Sequence, residues 1–512
     1  MTTNANAKAI VNLDILGPTI SRHIYGHFAE NLGRGIYGGF FVGEDSHIRN
    51  DQGIRLDVVD ALKALKIPNL RWPGGCFGDE YHWRDGIGPK DQRPSMLNTH
   101  WGDVEENNHF GTHEFMHLCE LLGTEPYISG NVGSGTVEEM SHWVEYLTRA
   151  GNSPMVALRK QNGRDEPWRV RFWGVGNETW GCGGNMRPEY YAHLARQFGT
   201  FCRDHGDNTL YRIASGANVD DYAWTEALMK TIGDLGCGCR PQQHFQAISL
   251  HYYTYLRERH GIDSATNFTV DEFYQTMVNA QRMDELLTRH SNIMDAYDPE
   301  RRIGLVVDEW GTWWEVEEGT NPGFLYQQNT LRDALVASVH FDIFHRHAER
   351  VVMTNIAQTV NVLQAMILTE GGHMVLTPTY HVFEMNKQHQ DAVSLPVHLA
   401  GPSVSRNVGG KTLNTLSVSA SAKDGGGLIS LTNLEAEDAQ PVEIDLRGGG
   451  FEVAQARILT SPELTDHNTP ERLNTVSPQT FDQVSHKGQN LLVELPPHSF
   501  VTVALDLRTG AS

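Results

Sequence analysis

Short apolar runs that end in polar or glycine residues recur along the first three quarters of the chain. They are Ile24–Phe28 before Ala29-Glu30-Asn31, Asn69–Trp72 before Pro73-Gly74-Gly75, and Pro126–Ser129 before Gly130-Asn131. Val170–Val175 precedes Gly176-Asn177-Glu178, Arg212–Ser215 precedes Gly216-Ala217-Asn218, and Ala247–Leu250 precedes His251. Ile303–Val307 leads to Asp308-Glu309, and Val351–Thr354 leads to Asn355. Continuous runs of this length read as strands buried on both faces. Between them lie segments with apolar residues at three- and four-residue spacing, which predicts helices. Gly53 to Ile67 is one, and Arg187 to Gly206 is another, with Gly206 placed to cap it.

Strands alternating with helices predict a parallel sheet. Eight such units in succession predict a (β/α)8 TIM barrel, an α/β architecture with its site at the C-terminal ends of the strands. An open doubly wound sheet is the competing arrangement. No strand is followed by GxGxxG and the chain has no GxxxxGK[ST], so the barrel is favoured.

After about residue 385 the texture changes. TLNTLSVSASAKDGGGLISLTNLEAEDAQPVEIDLRGGGFEVAQARILT alternates apolar and polar positions between glycine-rich turns, and LLVELPPHSFVTVALDL closes in the same style. This predicts an all-β antiparallel sandwich. Ile10–Leu16 also alternates, so the N-terminal strand is expected to cross over and join it. The expected domains are a barrel over 18–385 and a sandwich over 386–512, joined by the strand within 1–17.

The bulk numbers narrow the classes. The chain has 512 residues, 39% of them hydrophobic, enough for two large cores. No apolar run approaches the ~20 residues that span a bilayer. The start, MTTNANAKAIVNLDIL, lacks a basic segment followed by an apolar one, so no signal peptide is expected. Six cysteines suggest no disulfide framework, and a reducing cytoplasm is the simplest location. The formal net charge is −22, which repels phosphate backbones and anionic membranes. Neither nucleic acid nor membrane is an expected partner. The 11 tryptophans, several beside polar strand ends, suit a sugar site, although packing alone also explains tryptophan.

Chemistry concentrates at two strand ends. Glu178 and Glu309 each close a buried strand, on the fourth and seventh units, and so face each other across a barrel mouth. Two facing carboxylates are the minimum equipment for cutting a glycosidic bond. Asn177 stands beside the first and can bind a sugar hydroxyl. The plain alternative for each Glu is a rim salt bridge, but two such ends in one chain favour chemistry. Glu30 can anchor sugar hydroxyls or pair with Arg34 or Arg71. Arg71, at a strand end, can hold a neighbouring carboxylate ionised. His251 ends the sixth strand and Tyr253 stands just beyond it, where it can hydrogen-bond the nucleophile or pack on the rim.

Rival chemistries are weaker. His109, His113 and His117 recur at four-residue steps, but the order is His113-Glu114-Phe115-Met116-His117, not HExxH, so a structural role is favoured over zinc. Cys237-Gly-Cys239 lacks a second ligand pair. Gly133-Ser134-Gly135 does not have GxSxG spacing, so no serine nucleophile is expected. No metal and no organic cofactor are expected.

With these residues assembled, the chain resembles glycoside hydrolase family 51, the α-L-arabinofuranosidases. The likeness runs from GHFAENLGRGIYGG to LPPHSFVTVALDL through RWPGGCF, YHWRDGIGP, FGTHEFM, GVGNETWGCGGN, SLHYY, VVDEWG and IAQTVNVLQ. The ordered set is far more specific than any one stretch. The resemblance implies a (β/α)8 barrel with a C-terminal jelly roll, a retaining, exo-acting enzyme, and arabinofuranosyl oligosaccharides from arabinan or arabinoxylan as substrates. It implies Glu178 as acid/base and Glu309 as nucleophile. It further implies Glu30, Asn177 and Gln358 as ligands of the sugar hydroxyls, and Arg71, His251 and Tyr253 as the shell of the nucleophile. Trp101 and Trp180 would line the mouth. Cys76 stands where many members carry Asn, so any side-chain bond to the sugar there is weakened, which touches substrate detail rather than chemistry. A homo-oligomer, a hexamer by the same resemblance, is implied. The alternatives are the same machinery on a β-D-galactofuranoside or a β-1,4-glucan or xylan, or a carbohydrate-binding protein without turnover.

Overall fold

Eight parallel strands close into one barrel, each next to its neighbour in sequence. The computed structural model describes residues 7–232, 245–257, 259–400 and 404–508. The strands are β1 (Gly26–Phe28), β2 (Asn69–Trp72), β3 (Glu125–Gly130), β4 (Phe172–Val175), β5 (Tyr211–Asn218), β6 (Ala247–Thr254), β7 (Gly304–Thr312) and β8 (Val351–Ile356). All eight overlap the apolar runs read from sequence. The ends differ. Arg22–Tyr25 is a 3-10 turn, so β1 starts at Gly26, and β5 to β7 run on through the polar residues expected to end them.

Among the described residues nine helices pack around the strands: α1 (Leu56–Leu65), α2 (Thr112–Leu122), α3 (Val137–Thr148), α4 (Pro154–Gln161), α5 (Pro188–Phe201), α6 (Tyr222–Ile232), α7 (Val270–Tyr297), α8 (Leu331–Arg346) and α9 (Pro378–Asn386). The amphipathic stretches supplied the expected ones. The helix expected to reach Gly206 stops at Phe201 with Cys202 as its cap, because Arg212 reaches back to the Cys202 carbonyl at 2.6 Å and Gly206 belongs to the following turn.

The sandwich has two sheets. One orders Val397–Ala400, Ala7–Asn12, Gln440–Arg447, Asn490–Leu495 and Val484–Lys487; the other orders Val393–Ser394, Leu416–Lys423, Gly426–Asn433, Ser499–Arg508, Gly450–Leu459 and Gln479–Thr480. The N-terminal strand does cross over, although it spans Ala7–Asn12 rather than Ile10–Leu16. It runs antiparallel to Val397–Ala400 and parallel to Gln440–Arg447. Its Ala7, Ala9 and Val11 join Val418, Leu431, Ile444 and Val503 in the sandwich core. Among the described residues no helix is long and apolar enough to cross a membrane.

The sandwich leans on α8 and on the turn after α9. In Leu416–Lys423 alternate residues face opposite ways, as a strand requires. Leu416, Val418 and Ala420 enter the sandwich core. Ser417, Ser419 and Ser421 meet Asp342 at 2.6 Å, His345 at 2.7 Å and His389 at 2.7 Å on the barrel side. The polar face of this strand is therefore buried against the barrel's outer layer, and each of its serine hydroxyls there has a partner.

Candidate active site

The C-terminal ends of β2, β4, β6 and β7 deliver the charged groups to one place. The delivery from β7 depends on an irregularity. Val306 pairs with Ser249 and Glu309 with His251, three steps on β7 against two on β6. On the other side Val307 pairs with Thr354 and Trp310 with Ile356, again three against two. Asp308 is the extra residue of a bulge, which re-aims side chains at a strand end. Both Asp308 and Glu309 are thereby buried in the mouth, where simple alternation would send one of them away.

Glu309 is held at both oxygens. Arg71 Nη1 donates to Oε1 at 2.9 Å and the Tyr253 hydroxyl donates to Oε2 at 2.9 Å. Arg71 is itself fixed by Asn177 Oδ1 at 2.6 Å and by the Asp308 carbonyl at 3.2 Å. Its guanidinium lies 4.6 Å from the centre of the Phe28 ring.

Glu178 follows β4 in a sharp turn, with Gly176 at φ +84° and Glu178 at φ +40°. Few residues with a side chain adopt such a φ, so the turn holds the glutamate in an uncommon conformation. A methyl on Gly183 would fall 1.8 Å from the Asn177 carbonyl, so only glycine lets the loop fold back this closely. Glu178 Oε1 accepts from His251 Nδ1 at 2.8 Å. A carboxylate oxygen of Glu178, one of Glu309 and a His251 nitrogen all lie within 4.8 Å of one another. That closeness matches the roughly 5–5.5 Å carboxyl separation of retaining glycosidases, not the ~6.5–9.5 Å of inverting ones.

Burial, then the charge of Glu309, pushes the Glu178 carboxyl above its usual range; His251 and Arg71 oppose this. His251 is shared among three carboxylates. Nδ1 faces Glu178 at 2.8 Å and Glu309 at 3.5 Å, and Nε2 faces Asp308 at 3.1 Å. Burial works against the charged ring, yet Glu309, Asp308 and Glu178 outweigh it and raise His251 to about 10. Asp308 also accepts from the Tyr127 hydroxyl at 2.7 Å. Burial would raise Asp308, but Arg71 and His251 bring it down to about 2.

Glu30 forms the other wall. Its two oxygens accept from Phe77 N at 3.0 Å, Trp101 Nε1 at 2.8 Å and Gln358 Nε2 at 3.0 Å. Burial and the charge of Glu309 nonetheless push it up to about 7. Gly75 lies against it so closely that a methyl there would fall 2.6 Å from Glu30 Oε1. Trp101, Tyr253 and Trp313 pack beside Phe28 and Leu32 as an apolar flank. Trp180 is half-buried and donates to the Gly216 carbonyl at 3.1 Å, one strand over from Glu178.

Cys76 differs from the sequence reading. It is bonded to Cys182, with an S–S distance of 2.09 Å across 106 positions, so it has no thiol with which to bind a sugar. The two sulfurs face Glu178 Oε2, Cys76 at 3.8 Å and Cys182 at 3.5 Å. Disulfide sulfurs carry no proton, so these are packing contacts. The free cysteines among the described residues are Cys119 and Cys202, both buried.

Thus Arg71 holds Glu309 and Asn177, with Tyr253 on Glu309 and His251 on Glu178, and beside them Glu30 holds Trp101 and Gln358 in a second hydrogen-bonded set close enough to feel the charge of Glu309. Sequence reasoning missed Asp308 as a partner of His251, Tyr127 beneath it, Cys182, and Asp79. The Asp79 carboxylate accepts from the Val132, Gly133 and Asn177 amides at 3.0, 2.9 and 3.2 Å and so braces the start of the Glu178 turn. Asp308 directly precedes Glu309, but nothing in the residues announces the bulge.

The rival candidates lie elsewhere. His113 is bound to the Tyr146 hydroxyl at 2.6 Å, His117 meets Asp51 at 3.4 Å, and His109 precedes α2 altogether. Ser134 donates to the Asp79 carbonyl at 2.7 Å within a turn. Cys237 and Cys239 lie outside the described residues.

Known proteins resemble this chain along nearly its whole length. Residues 61–254 match the family described as alpha-L-arabinofuranosidase 1 domain, and residues 308–499 match the alpha-L-arabinofuranosidase C-terminal domain. An intracellular exo-alpha-L-arabinofuranosidase of Bacteroides ovatus is 51% identical over 99% of this chain and 96% of its own length. The crystal structure of a GH51 arabinofuranosidase from Xanthomonas axonopodis pv. citri covers 98% of this chain and 99% of its own, with 49% identity and a TM-score of 0.94. The arabinose complex of the alpha-L-arabinofuranosidase from Thermotoga maritima covers 97% of this chain and 99% of its own, with 32% identity and a TM-score of 0.85.

Proposed function

Because the chain belongs to glycoside hydrolase family 51, the α-L-arabinofuranosidases, we propose that its chemistry runs through Glu178 as acid/base and Glu309 as nucleophile. The activity is that of a retaining, exo-acting α-L-arabinofuranosidase. The observation that carries the assignment is the two carboxylates meeting within 4.8 Å at the barrel mouth, with unequal environments. Glu178, its carboxyl raised by burial and by Glu309, keeps a proton for the departing oxygen. Glu309, with each oxygen fixed by a donor, attacks the anomeric carbon. The leaving oxygen takes the proton of Glu178 as its bond to that carbon breaks. Glu178 then removes a proton from water, which attacks the arabinosyl-enzyme and frees Glu309. Glu30, Asn177 and Gln358 are positioned to hold sugar hydroxyls, and Trp101 and Trp180 to flank the mouth. No metal or organic cofactor enters this sequence, and a chelator should leave the rate unchanged.

The substrates we assign are short arabinan- or arabinoxylan-derived oligosaccharides in the cytoplasm, which the Bacteroides relative, named intracellular, supports. We also assign a homo-oligomer, with a hexamer as the expected species. Light scattering after size exclusion checks it.

The mechanism is tested with 4-nitrophenyl α-L-arabinofuranoside and azide. Glu178→Ala should lose roughly 10²- to 10⁴-fold in kcat on an arabino-oligosaccharide, whose leaving oxygen needs the proton, and less on the 4-nitrophenyl glycoside, whose leaving group departs without it. Azide should restore turnover and yield the α-arabinosyl azide, since it attacks the inverted covalent intermediate with a second inversion. Glu309→Ala should yield the β-azide by a single inversion. Turnover surviving both substitutions would mean that other carboxylates act. Hydrolysis of galactofuranosides or glucans with no arabinofuranoside turnover would reassign the substrate.

A further inference from the structure

The two oxygens of Glu178 have different company. Oε1 accepts from His251 Nδ1 at 2.8 Å. Oε2 faces the sulfurs of Cys76 and Cys182, at 3.8 and 3.5 Å. Cys76 lies in the loop after β2 and Cys182 in the loop after β4, four residues beyond Glu178. The bridge thus ties the acid-bearing loop to its neighbour across the mouth of β3. Both cysteines are half-buried, so a small reagent can reach them.

We propose that the Cys76–Cys182 bridge is a positioning element for the acid, and that its redox state sets which protonation state of Glu178 the site favours. Closed, it fixes the loop and presents sulfurs that donate nothing to Oε2. Open, the same two atoms become S–H groups within reach of that oxygen. A donor to a carboxylate favours its ionised form. The reduced enzyme therefore surrenders the acid's proton at lower pH. The charged groups facing Glu178 are His251 from β6, Glu309 from β7 and Arg71 from β2, and opening the bridge removes none of them. Opening takes two electrons and two protons. A dithiol supplies both through two exchange steps, ending as its own disulfide and leaving two thiols on the enzyme. In the cytoplasmic setting assigned above, thiols are kept reduced, so the open form lies within the enzyme's working range.

The inference rests on Glu178 being the acid. The experiment is the pH profile of kcat/KM for four proteins: oxidised wild type, wild type reduced with dithiothreitol, Cys76→Ala/Cys182→Ala, and Cys76→Ser/Cys182→Ser. Iodoacetamide labelling read by peptide mass spectrometry reports the state of both cysteines in each wild-type sample. The alkaline limb of the reduced enzyme and of the Ser pair should lie about 0.5 to 1 pH unit below that of the oxidised enzyme. The Ala pair, which has neither bridge nor donor, should keep the oxidised limb while kcat falls about tenfold with little change in KM. A bridge that only holds the loop would lower kcat in every opened form without moving the limb, and that result overturns the proposal. So does labelling of both cysteines in wild type that has been treated with oxidised glutathione. Failure of azide to rescue Glu178→Ala would instead sink the assignment of the acid, a separate result.

Discussion

His251 brings a positive ring into a pocket with Glu178, Asp308 and Glu309, and the pocket's charge balance depends on it. Its pKa is raised from 6.5 to about 10, so its contribution to stability is complete below 6.5 and is lost as pH climbs through 10. Asp308 is lowered from 3.8 to about 2, so its contribution is present above 3.8 and is lost as pH falls through 2. The melting temperature of the wild type should therefore drop between pH 6.5 and 10 more steeply than that of His251→Asn, as differential scanning fluorimetry would read. Asp308→Asn removes one of the carboxylates that charge the ring and replaces the acceptor of the Tyr127 hydroxyl. It should cost roughly 10- to 100-fold in kcat/KM, with the protein still folded by circular dichroism. The raised Glu178 carboxyl has its own signature. Activity should fall as pH rises through it, and Glu309→Gln, by removing the neighbouring charge, should lower it, as a carboxyl-specific infrared titration can follow.

Two elements decide how those residues meet. The bulge in β7 admits both Asp308 and Glu309, and the turn after β4 brings Glu178 back over the mouth. Neither is visible in a pattern of apolar positions, because a bulge is a mismatch between two strands and not a property of one. The serine row of Leu416–Lys423 teaches the same lesson. Its alternation reads as a half-exposed strand, yet Ser417, Ser419 and Ser421 are all buried, against α8 and the turn after α9. Ser419→Val should leave the His345 ring nitrogen, now 2.7 Å from the serine hydroxyl, without a partner. An unsatisfied buried group of this kind costs about 1–3 kcal/mol, and a thermal melt should show it.

At the scale of the whole molecule the chain closes on itself. The strand at Ala7–Asn12 lies inside a sheet, flanked by Val397–Ala400 and Gln440–Arg447. Removing the chain through Asn12 would expose the edges of both neighbours and open the core at Val418 and Ile444. The truncated protein should be recovered largely as aggregate, with any soluble fraction unfolding at lower temperature in scanning calorimetry. A barrel sufficient in itself would instead keep its melting transition and its turnover. The sandwich, through its serine row, covers α8, whose own chain continues from the strand that carries Glu309. The sandwich thus buries part of the outer face of the helix that follows the Glu309 strand.

The sequence by itself determined the periodicities, and with them the eight barrel strands, the sandwich and the crossing N-terminal strand. It also determined which strand ends carry carboxylates, because a charged residue closing a buried run has few places to go but the mouth. Tertiary structure alone decided the partners. Cys76 and Cys182 lie 106 positions apart, and only barrel closure brings the loops of β2 and β4 together. Asp308 becomes a partner of His251 through a register shift between β6 and β7, and Asp79 braces Asn177 from a different loop. Patterning is a one-dimensional record of which side of an element meets water, whereas hydrogen bonds, bridges and shifted protons are set by distances between elements that the chain fixes only once it has folded.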